Sequence, residues 1–350
     1  MQKPRIGFVG VGSMGQAAHL RNYATLPDCE VVALAELRPE LARAVAVHYG
    51  VPAVYQRAED MLAREQLDGI VAIQPFDHHG QVITPLYQAG IPILTEKPLA
   101  ASFQVGERML TALHGSTSWH MVGYNKRSDP ATMYVRQEIE RLRQSGELGP
   151  LRYVRITIPE GDWMVNGFFD LIRTDEAYPQ EAGDPAPDDI DAATYQRYWE
   201  FVNYFIHQVN LLRYLLGEPY SVTYAEPSGV LLGARSQSGV ACVIEMSPYK
   251  TTLDWQESAL VGFEHGYIQL DLPAPLVLNR PGRVEIFRDP GKGVVPQTLV
   301  PQLPWVHSMR QQAINFVRAI KGEAKPPCEA AEALEDLKIA REYIRLLRGV

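Results

Sequence analysis

The first fifteen residues constrain the fold more than any other part of the chain. Residues 5–9 form a short apolar run that leads directly into a glycine-rich turn, and a helical pattern follows over residues 13–23. The glycines at 10, 12 and 15 have the spacing G-x-G-x-x-G. In this order, Gly10 permits a tight turn, Gly12 lets backbone approach a pyrophosphate, and Gly15 allows close packing of helix on strand. The sequence therefore predicts a dinucleotide-binding strand–turn–helix unit.

A carboxylate completes this fingerprint. Residues 30–35 are predicted to form the next strand, and Glu36 stands at its end, about twenty residues beyond the last glycine. There it can accept hydrogen bonds from the ribose hydroxyls, and it repels a 2′-phosphate, so NAD is favoured over NADP. Arg38 could pair with such a phosphate and keeps NADP open as the less favoured cofactor. The alternative for Glu36 is an ordinary charged residue at a strand end.

Composition places the chain among globular proteins and excludes several classes. It has 350 residues, 46% hydrophobic and 21% charged, with a net charge of −8. That charge argues against nucleic acid or an anionic membrane as a general partner. No apolar run approaches the length of about 18 residues that a membrane helix needs. Three widely spaced cysteines offer no zinc motif and no disulfide framework, and the start of the chain lacks a signal-peptide pattern, so a cytoplasmic protein is expected.

The order of predicted elements defines the fold class and two domains. Up to residue 122, short apolar runs alternate with helical stretches, which predicts an α/β fold with a doubly wound parallel Rossmann sheet of strand order 3-2-1-4-5-6. Residues 123–350 are predicted to form a second α/β domain with a large, open, mostly antiparallel sheet. Within it, residues 151–158 are expected to form an edge or antiparallel strand, and residues 195–216 one long helix.

A long acidic stretch interrupts the second domain. Residues 174–191 hold seven acidic residues, three prolines and no basic residue. Such a stretch is a loop, and it is longer than most ordered loops. It is expected to be a lid, an insertion or a mobile segment, and we expect it to order over a binding cleft or a neighbouring subunit.

Ligands of open parallel sheets bind beyond the carboxyl ends of the strands. Lys97 lies there, after a buried strand and before a proline that holds its loop. A partly buried lysine near a nicotinamide can polarise a carbonyl or transfer a proton. The alternative, a solvated loop lysine, is equally compatible with the spacing alone.

His207 is the second catalytic candidate. Asn203 and Asn210 share its predicted helical face, and two amides with an imidazole are costly to bury without partners. A helix that faces a substrate explains them, whereas the alternative is a core histidine with satisfied hydrogen bonds. The remaining histidines with no comparable pattern are interpreted as structural: His78, His120, His265 and His307.

These motifs together give the chain a resemblance to a known family. The sequence resembles the glucose–fructose oxidoreductase, inositol dehydrogenase and rhizopine-catabolism (Gfo/Idh/MocA) family of NAD(P)-dependent oxidoreductases over nearly its whole length. The most specific mark is E-K-P at residues 96–98. Residues 74–79 are similar to the family's T-P-N-x-x-H and align its histidine with His79. Residues 123–130 are similar to G-F-N-x-R-x-x-P, and residues 207–217 to H-D-x-D-L-L followed by L-G.

The motifs and the resemblance imply a set of site residues. Lys97 and His207 are the expected catalytic pair, and no metal site is expected. The expected cofactor-binding residues are Gly10, Val11, Gly12, Ser13, Met14, Gly15, Glu36, Gln74, Pro75, His79, Glu96, Lys97 and Asn125. The expected substrate-binding residues are Lys97, Tyr124, Arg127, Asn203 and His207. The implied reaction is hydride transfer between the nicotinamide and a secondary alcohol or ketone of a sugar, cyclitol or related molecule, in a homo-oligomer (dimer or tetramer).

The sequence also departs from the family pattern. Asn203 and Asn210 stand where the family often has aspartates, and Gln74 and Phe76 replace a threonine and an asparagine. An amide can position a hydroxyl group but cannot act as a base, so the proton chemistry would fall on Lys97 and His207. Two other functions stay open at this point: an NAD-dependent hydrolase or lyase that uses transient oxidation, and a non-catalytic dinucleotide-binding regulator.

Overall fold

The computed structural model describes residues 2–291 and 293–349. The chain divides into two compact units. The first comprises residues 1–124 together with two later segments, 166–191 and 309–337. The second comprises residues 125–165, 192–308 and 338–350. The chain thus returns to the first unit twice after residue 124.

The first unit contains a six-stranded parallel sheet of order β3-β2-β1-β4-β5-β6, which confirms the predicted strand order. Its strands are β1 (Arg5–Val9), β2 (Glu30–Ala35), β3 (Ala53–Tyr55), β4 (Gly69–Ala72), β5 (Ile93–Glu96) and β6 (His120–Gly123). Its crossover helices are α1 (Arg21–Ala24), α2 (Pro39–Tyr49), α3 (Ala58–Arg64), α4 (His79–Leu86) and α5 (Phe103–His114). Short 3₁₀ turns at Phe76–His78 and Tyr87–Ala89 flank α4.

The helix after the glycine turn differs from a regular α-helix. Residues Gly15–Leu20 are π-helical and continue into α1, so the predicted helix over residues 13–23 is present but wider in its first turns. All six residues of the π-helical segment are buried, including the polar residues Gln16 and His19. π-Helical turns of this kind often occur at functional sites.

The core of the first unit is formed on the faces of the parallel sheet. Phe8 of β1 lies edge-on to Tyr23 of α1, with ring centroids 5.4 Å apart, and Phe316 lies 5.5 Å from Trp119. Phe316 belongs to α10 (Ser308–Ile320), which explains why residues 309–337 group with this unit. Burial of such large apolar side chains is the main favourable contribution to folding here.

The second unit contains an eight-stranded, mostly antiparallel sheet of order β14-β13-β12-β11-β7-β10-β9-β8. Its strands are β7 (Leu151–Glu160), β8 (Tyr220–Ala225), β9 (Leu231–Ser236), β10 (Ala241–Lys250), β11 (Glu257–Phe263), β12 (Gly266–Leu272), β13 (Arg283–Arg288) and β14 (Gln297–Leu299). Its helices are α6 (Asn125–Ser128), α7 (Pro130–Ser145), α8 (Ala192–Tyr204), α9 (Ile206–Leu216) and part of α11 (Ala330–Arg348). The predicted fold class is therefore confirmed for both sheets.

One local prediction for this unit is confirmed in part, and another is wrong. β7 pairs antiparallel with β11, as one of the two predicted alternatives, but it is a central strand and not an edge strand, because β10 pairs with it parallel on the other side. The expected single helix over residues 195–216 is two helices, α8 and α9, separated at Phe205. Phe205 belongs to neither helix although its dihedral angles (φ −98°, ψ −1°) stay in the right-handed helical region, and its ring packs against Phe201 and Tyr204. Ring packing here outweighs the local preference for a continuous helix, which is a weak determinant.

Residues 166–191, named here the strap, contain the acidic stretch and lie along the first unit. The strap has no regular helix or strand, in agreement with the predicted loop, but it makes many side-chain and backbone contacts with the Rossmann sheet's connections. Among the described residues, no helix combines the length and apolar character needed to cross a membrane. In the same part of the chain, no group of three or more His, Cys, Asp or Glu side chains is arranged to hold a metal ion.

Candidate functional site

A cavity of about 700 Å³ lies in the first unit, beside the carboxyl ends of β1, β2 and β4. The glycine turn and the start of its helix form part of its lining, and the strap forms another part. The predicted site residues that line the cavity are Gly10, Gly12, Ser13, Met14, Gly15, Glu36, Gln74 and Pro75. Cavities in this position are where dinucleotides bind in open α/β sheets.

The glycines are required by the backbone of this turn. Gly10 adopts φ +86°, a conformation that side chains disfavour, and its N–H donates to the Ala35 carbonyl at 2.8 Å. A Cβ on Gly15 would lie 2.7 Å from the Gly10 carbonyl oxygen, whereas one on Gly12 would meet nothing closer than 3.7 Å. The turn therefore packs tightly at its first and last glycine and leaves open space at the middle one. This cradle fits a pyrophosphate approaching Gly12.

Glu36 connects the end of β2 to the glycine turn. Its carboxylate accepts a hydrogen bond from the Val11 N–H at 3.0 Å and is only 6% exposed. Its other oxygen accepts from the Arg38 Nε–H at 2.8 Å and from the Arg38 backbone N–H at 3.2 Å. The hydrogen bond to Glu36 raises the pKa of Arg38, so the guanidinium stays charged. Glu36 is thus already neutralised by an arginine that itself lines the cavity.

The strap supplies an aromatic ring to the same cavity. Tyr178 lines it, and the Arg38 guanidinium carbon lies 5.1 Å from the centre of the Tyr178 ring. A cation over an aromatic face at this distance is a favourable contact. Pro179, Glu181 and Ala182 extend the strap's wall beyond the ring.

Two acidic strap residues cap helices of the Rossmann unit. The Glu176 carboxylate accepts from the backbone N–H groups of Glu40 and Leu41 in the first turn of α2, at 3.0 and 2.8 Å. The Asp184 carboxylate accepts from the Gly80 N–H in the first turn of α4, at 2.7 Å. Free N–H groups at a helix start favour an acceptor with negative charge. The acidic composition of the strap is explained in part by these two caps.

His78 lines the cavity and contacts the strap. Its Nδ1 lies 3.0 Å from an Asp77 carboxylate oxygen and its Nε2 lies 3.2 Å from the Glu181 carbonyl oxygen. Since both partners are acceptors, the doubly protonated ring donates to both. Burial opposes this charge, but the hydrogen bonds to Glu181 and Asp77 outweigh it, and the pKa of His78 is raised from its ordinary value. Interpreting His78 as structural missed its place in this cavity.

The beginning of the strap is held by the helix of the glycine turn. The Gln16 side chain accepts from the Ile172 N–H at 3.0 Å and donates to the Ile172 carbonyl at 3.1 Å. Arg21 forms an ion pair with Asp170 and lies over the Phe169 ring. The strap is therefore fixed at both ends of its path across the nucleotide cavity.

The E-K-P motif lies at the end of β5. The Glu96 carboxylate is 2.7 Å from the His19 Nε2 and also accepts from the Lys97 N–H at 3.2 Å. Lys97 is partly buried, and the Lys97–Pro98 peptide is cis. His79 is fully buried and its Nδ1–H donates to the Leu99 carbonyl at 3.0 Å, which braces the loop after Lys97. Burial lowers the pKa of His79. Glu96, Lys97 and His79 do not line the cavity at the glycine turn.

Arg127 and Asn210, two residues of the family-like motifs, meet in the second unit. The Arg127 Nε–H donates to the Asn210 side-chain oxygen at 2.5 Å, and the guanidinium lies 4.8 Å from the centre of the Tyr214 ring. Both Arg127 and Asn210 are 2% exposed or less. The Asn210 side chain therefore accepts a hydrogen bond from a buried arginine of the same unit.

A buried ion pair lies next to Arg127 in sequence. Lys126 pairs with Glu257 of β11, and the other Glu257 oxygen accepts from the Gln208 side chain at 2.7 Å. Gln208 follows His207 directly, so this network fixes the start of α9. His207 is partly buried there, while Asn203 is exposed on α8. The neighbouring Asn125 donates to the Ser308 hydroxyl at 2.9 Å, and Tyr124 of the first unit is buried.

Sequence reasoning missed several residues of the cavity. Tyr178, Pro179, Glu181 and Ala182 come from far along the chain, and no local motif marks them. The only signal was the acidic, proline-containing stretch itself, which predicted a possible lid but not its position. His19 and Gln16 were also missed, because a helix pattern alone does not show that a polar side chain has a distant partner.

Known proteins match both the sequence and the fold. Residues 4–124 match the model of the oxidoreductase family, NAD-binding Rossmann fold (GFO_IDH_MocA). The rhizopine catabolism protein MocA of Rhizobium meliloti is 24% identical over 99% of this chain and 96% of its own length. The inositol 2-dehydrogenase of Corynebacterium glutamicum (strain R) is 33% identical, over 43% of this chain and 44% of its own length.

A solved structure shares the fold over nearly the whole chain. The NAD binding oxidoreductase of Klebsiella pneumoniae superimposes with a TM-score of 0.72 at 16% identity, covering 99% of this chain and 98% of that one. The structural match extends to the second unit, which the family model does not cover. The glycine cradle and the E-K-P loop both lie within residues 4–124, which match the family model, and the chain as a whole is similar to oxidoreductases of this family.

Proposed function

We propose that the protein is a nicotinamide-dependent dehydrogenase or reductase that acts on a secondary alcohol or ketone of a sugar, a cyclitol or a related small molecule. The observation that carries this proposal is the cavity at the glycine turn, with Gly12 open and Glu36 at the end of β2. The dehydrogenase and rhizopine-catabolism relatives support the reaction class. In this proposal, residues 1–122 form the cofactor-binding domain and residues 123–350 the domain for substrate binding and oligomer formation.

The residues at the cavity fit a dinucleotide. The open space at Gly12 and the N–H groups of the following turn suit a pyrophosphate, and Glu36 suits the ribose hydroxyls. When bound, the nicotinamide supplies the hydride chemistry, and the protein orients it. NAD is the proposed cofactor, with NADP less favoured, because Glu36 lies at the expected ribose position even though Arg38 pairs with it.

Lys97 and His207 are proposed to carry the proton chemistry. Oxidation of an alcohol requires a group that takes the hydroxyl proton as hydride leaves, and both side chains can do so. Lys97 is supported by its partial burial and by the bracing of its loop through Glu96 and His79. His207 is supported by the buried network that fixes its neighbour Gln208.

Other cofactor and substrate contacts complete the proposal. Gln74, Pro75, Glu96 and Asn125 are proposed for the cofactor, and Tyr124, Arg127 and Asn203 for the substrate. Because Arg127 is buried against Asn210 and Tyr214, its proposed role is to hold the residues that shape the substrate pocket. A cytoplasmic homo-oligomer, dimer or tetramer, is the proposed form.

The decisive experiment is to follow NADH absorbance with the purified protein and a panel of sugars and cyclitols. Net formation of NADH from NAD, with a matching ketone product, is the expected result. Turnover of substrate without net change in NADH would point to a hydrolase or lyase that recycles its cofactor. Tight NADH binding without any turnover of the panel would point to a regulator.

A further inference from the structure

Tyr178 and Arg38 form an unusual pair at one end of the nucleotide cavity. Arg38 follows β2, where the adenosine half of a dinucleotide binds in this fold. Tyr178 comes from the strap, 140 residues later in sequence, and lies with its ring 5.1 Å from the guanidinium carbon. One side chain is an aromatic ring and the other a planar cation, and both line the cavity.

The position of Arg38 is fixed from two sides. Glu36 accepts from its Nε–H at 2.8 Å, and one of its terminal nitrogens is 3.7 Å from where a Cβ on Gly12 would be. The guanidinium plane is therefore held next to the turn that suits the pyrophosphate. The adenosine half of a dinucleotide binds near the end of β2 in this fold, and arginine planes stack well on aromatic rings.

The strap holds Tyr178 between two helix caps. Glu176 binds the start of α2 and Asp184 binds the start of α4, on either side of the ring. Tyr178 itself is 51% exposed, so the ring has a free surface toward solvent and the cavity. The caps limit how far the ring can move, but the strap between them has no helix or strand to hold it rigid.

We propose that Tyr178 and Arg38 are the two walls of the adenine subsite, with Tyr178 supplied by the strap. Insertion of a purine between two flat groups requires two stacking distances of about 3.5 Å each, or about 7 Å in all. The present 5.1 Å separation is smaller. The tyrosine ring therefore moves outward when the purine enters, and the strap then covers the outer face of the purine. Release of the cofactor then requires the strap to move.

This inference rests on the proposed dinucleotide binding, and it adds a specific element to it. A Rossmann unit without the strap would leave the outer face of the adenine in water. Here the chain's own acidic insertion covers that face. The subsite is selective for an aromatic base, because its affinity comes from stacking on two planes and not from hydrogen bonds to the base edges.

The test measures binding of ADP and of NADH, by calorimetry and by stopped-flow dissociation, in four proteins. Tyr178→Ala removes the ring, Tyr178→Phe keeps it, and Tyr224→Ala removes a tyrosine of β8 that is equally exposed (53%). The wild type, Tyr178→Phe and Tyr224→Ala proteins are expected to behave alike. Tyr178→Ala is expected to weaken ADP and NADH by the same factor, about tenfold, and to speed NADH release similarly.

Each outcome separates the subsite from the wider function. Equal ADP affinity in the wild-type and Tyr178→Ala proteins would refute the adenine subsite while leaving dinucleotide binding intact. Loss in Tyr178→Phe as large as in Tyr178→Ala would refute stacking as the cause. If the wild-type protein binds neither ADP nor NADH, the proposed function and the subsite both fail. Thermal melting of each variant checks that half-exposed Tyr178 can be replaced without loss of the fold.

Discussion

Arg38 donates its Nε–H to the Glu36 carboxylate at 2.8 Å, so the residue that should exclude a 2′-phosphate is paired with one that could bind it. The two charges are opposite in sign and both side chains line the nucleotide cavity. Cofactor preference is therefore a balance between them, and single substitutions should move it in opposite directions.

Replacing Glu36 by alanine should narrow the difference in affinity between NADH and NADPH, because it removes the carboxylate that repels the 2′-phosphate and frees Arg38. Replacing Arg38 by methionine should widen the difference in affinity in favour of NADH, because it removes the cation that could pair with the 2′-phosphate. Fluorescence titration of both cofactors against both variants and the wild type is the measurement. Tighter binding of NADPH than NADH by the wild-type protein would contradict the proposed preference.

Lys97→Ala should lower kcat by about 10²–10⁴-fold, the usual contribution of a general acid or base, while NADH still binds. His207→Ala should cost a similar or smaller factor. Lys250→Ala, at a lysine whose side chain is 73% exposed on the second sheet, serves as the control and should leave kcat unchanged. Near-normal kcat in Lys97→Ala with the true substrate would overturn the assignment.

Strap attachment should weaken as pH rises, because of His78. Its pKa is raised above the ordinary value of 6.5, and the groups that face it are acidic or carbonyl: Asp77, Asp184 and the Glu181 carbonyl. A raised pKa in the folded protein stabilises the contact below pH 6.5, and that stability is lost as pH passes through the raised value.

NADH dissociation should therefore speed up from pH 6 to pH 8, roughly across the titration range of a histidine. In His78→Phe the rate should no longer change over this range. A pH dependence that survives in His78→Phe would show that another group is responsible.

Asp129 should make the fold less stable as pH rises through weakly acidic values. Burial raises its pKa from 3.8 to about 6, although its oxygen accepts from the N–H groups of Ala131 and Gly282. Between these two values the folded protein binds the proton that the unfolded chain has lost, so stability falls with increasing pH. Asp129→Asn keeps the acceptor without the charge and should flatten this part of a Tm-versus-pH curve. Asp129→Ala removes the cap of α7 and should cost about 1 kcal/mol at low pH, where Asp129 is protonated in both states, and less as pH rises.

Asn210→Ala should destabilise the protein by about 1–3 kcal/mol, because it removes the acceptor of a buried guanidinium. Asn210→Asp keeps an acceptor and should be far better tolerated. Chemical denaturation of the three proteins gives the comparison. A stable Asn210→Ala protein that has lost activity would instead assign Asn210 to the substrate.

The amino-acid sequence by itself determined the features that depend on neighbouring residues. Gly10 must adopt positive φ because a strand turns into a helix within a few residues, and this local requirement is visible as G-x-G-x-x-G. The alternation of apolar runs and helical stretches likewise predicts the parallel sheet and its strand order, because crossover connections have few allowed topologies.

Only the tertiary structure decided which distant residues meet. Tyr178 reaches Arg38 across 140 positions, and Asn210 accepts from Arg127 across 83, and no spacing rule links such pairs. The break at Phe205 and the central place of β7 were also decided by packing, since ring contacts and strand pairing outweigh weak local propensities. The sequence showed that residues 174–191 are acidic but not where they lie. Their position is set in part by Glu176 and Asp184, whose carboxylates accept from the N–H groups at the starts of α2 and α4.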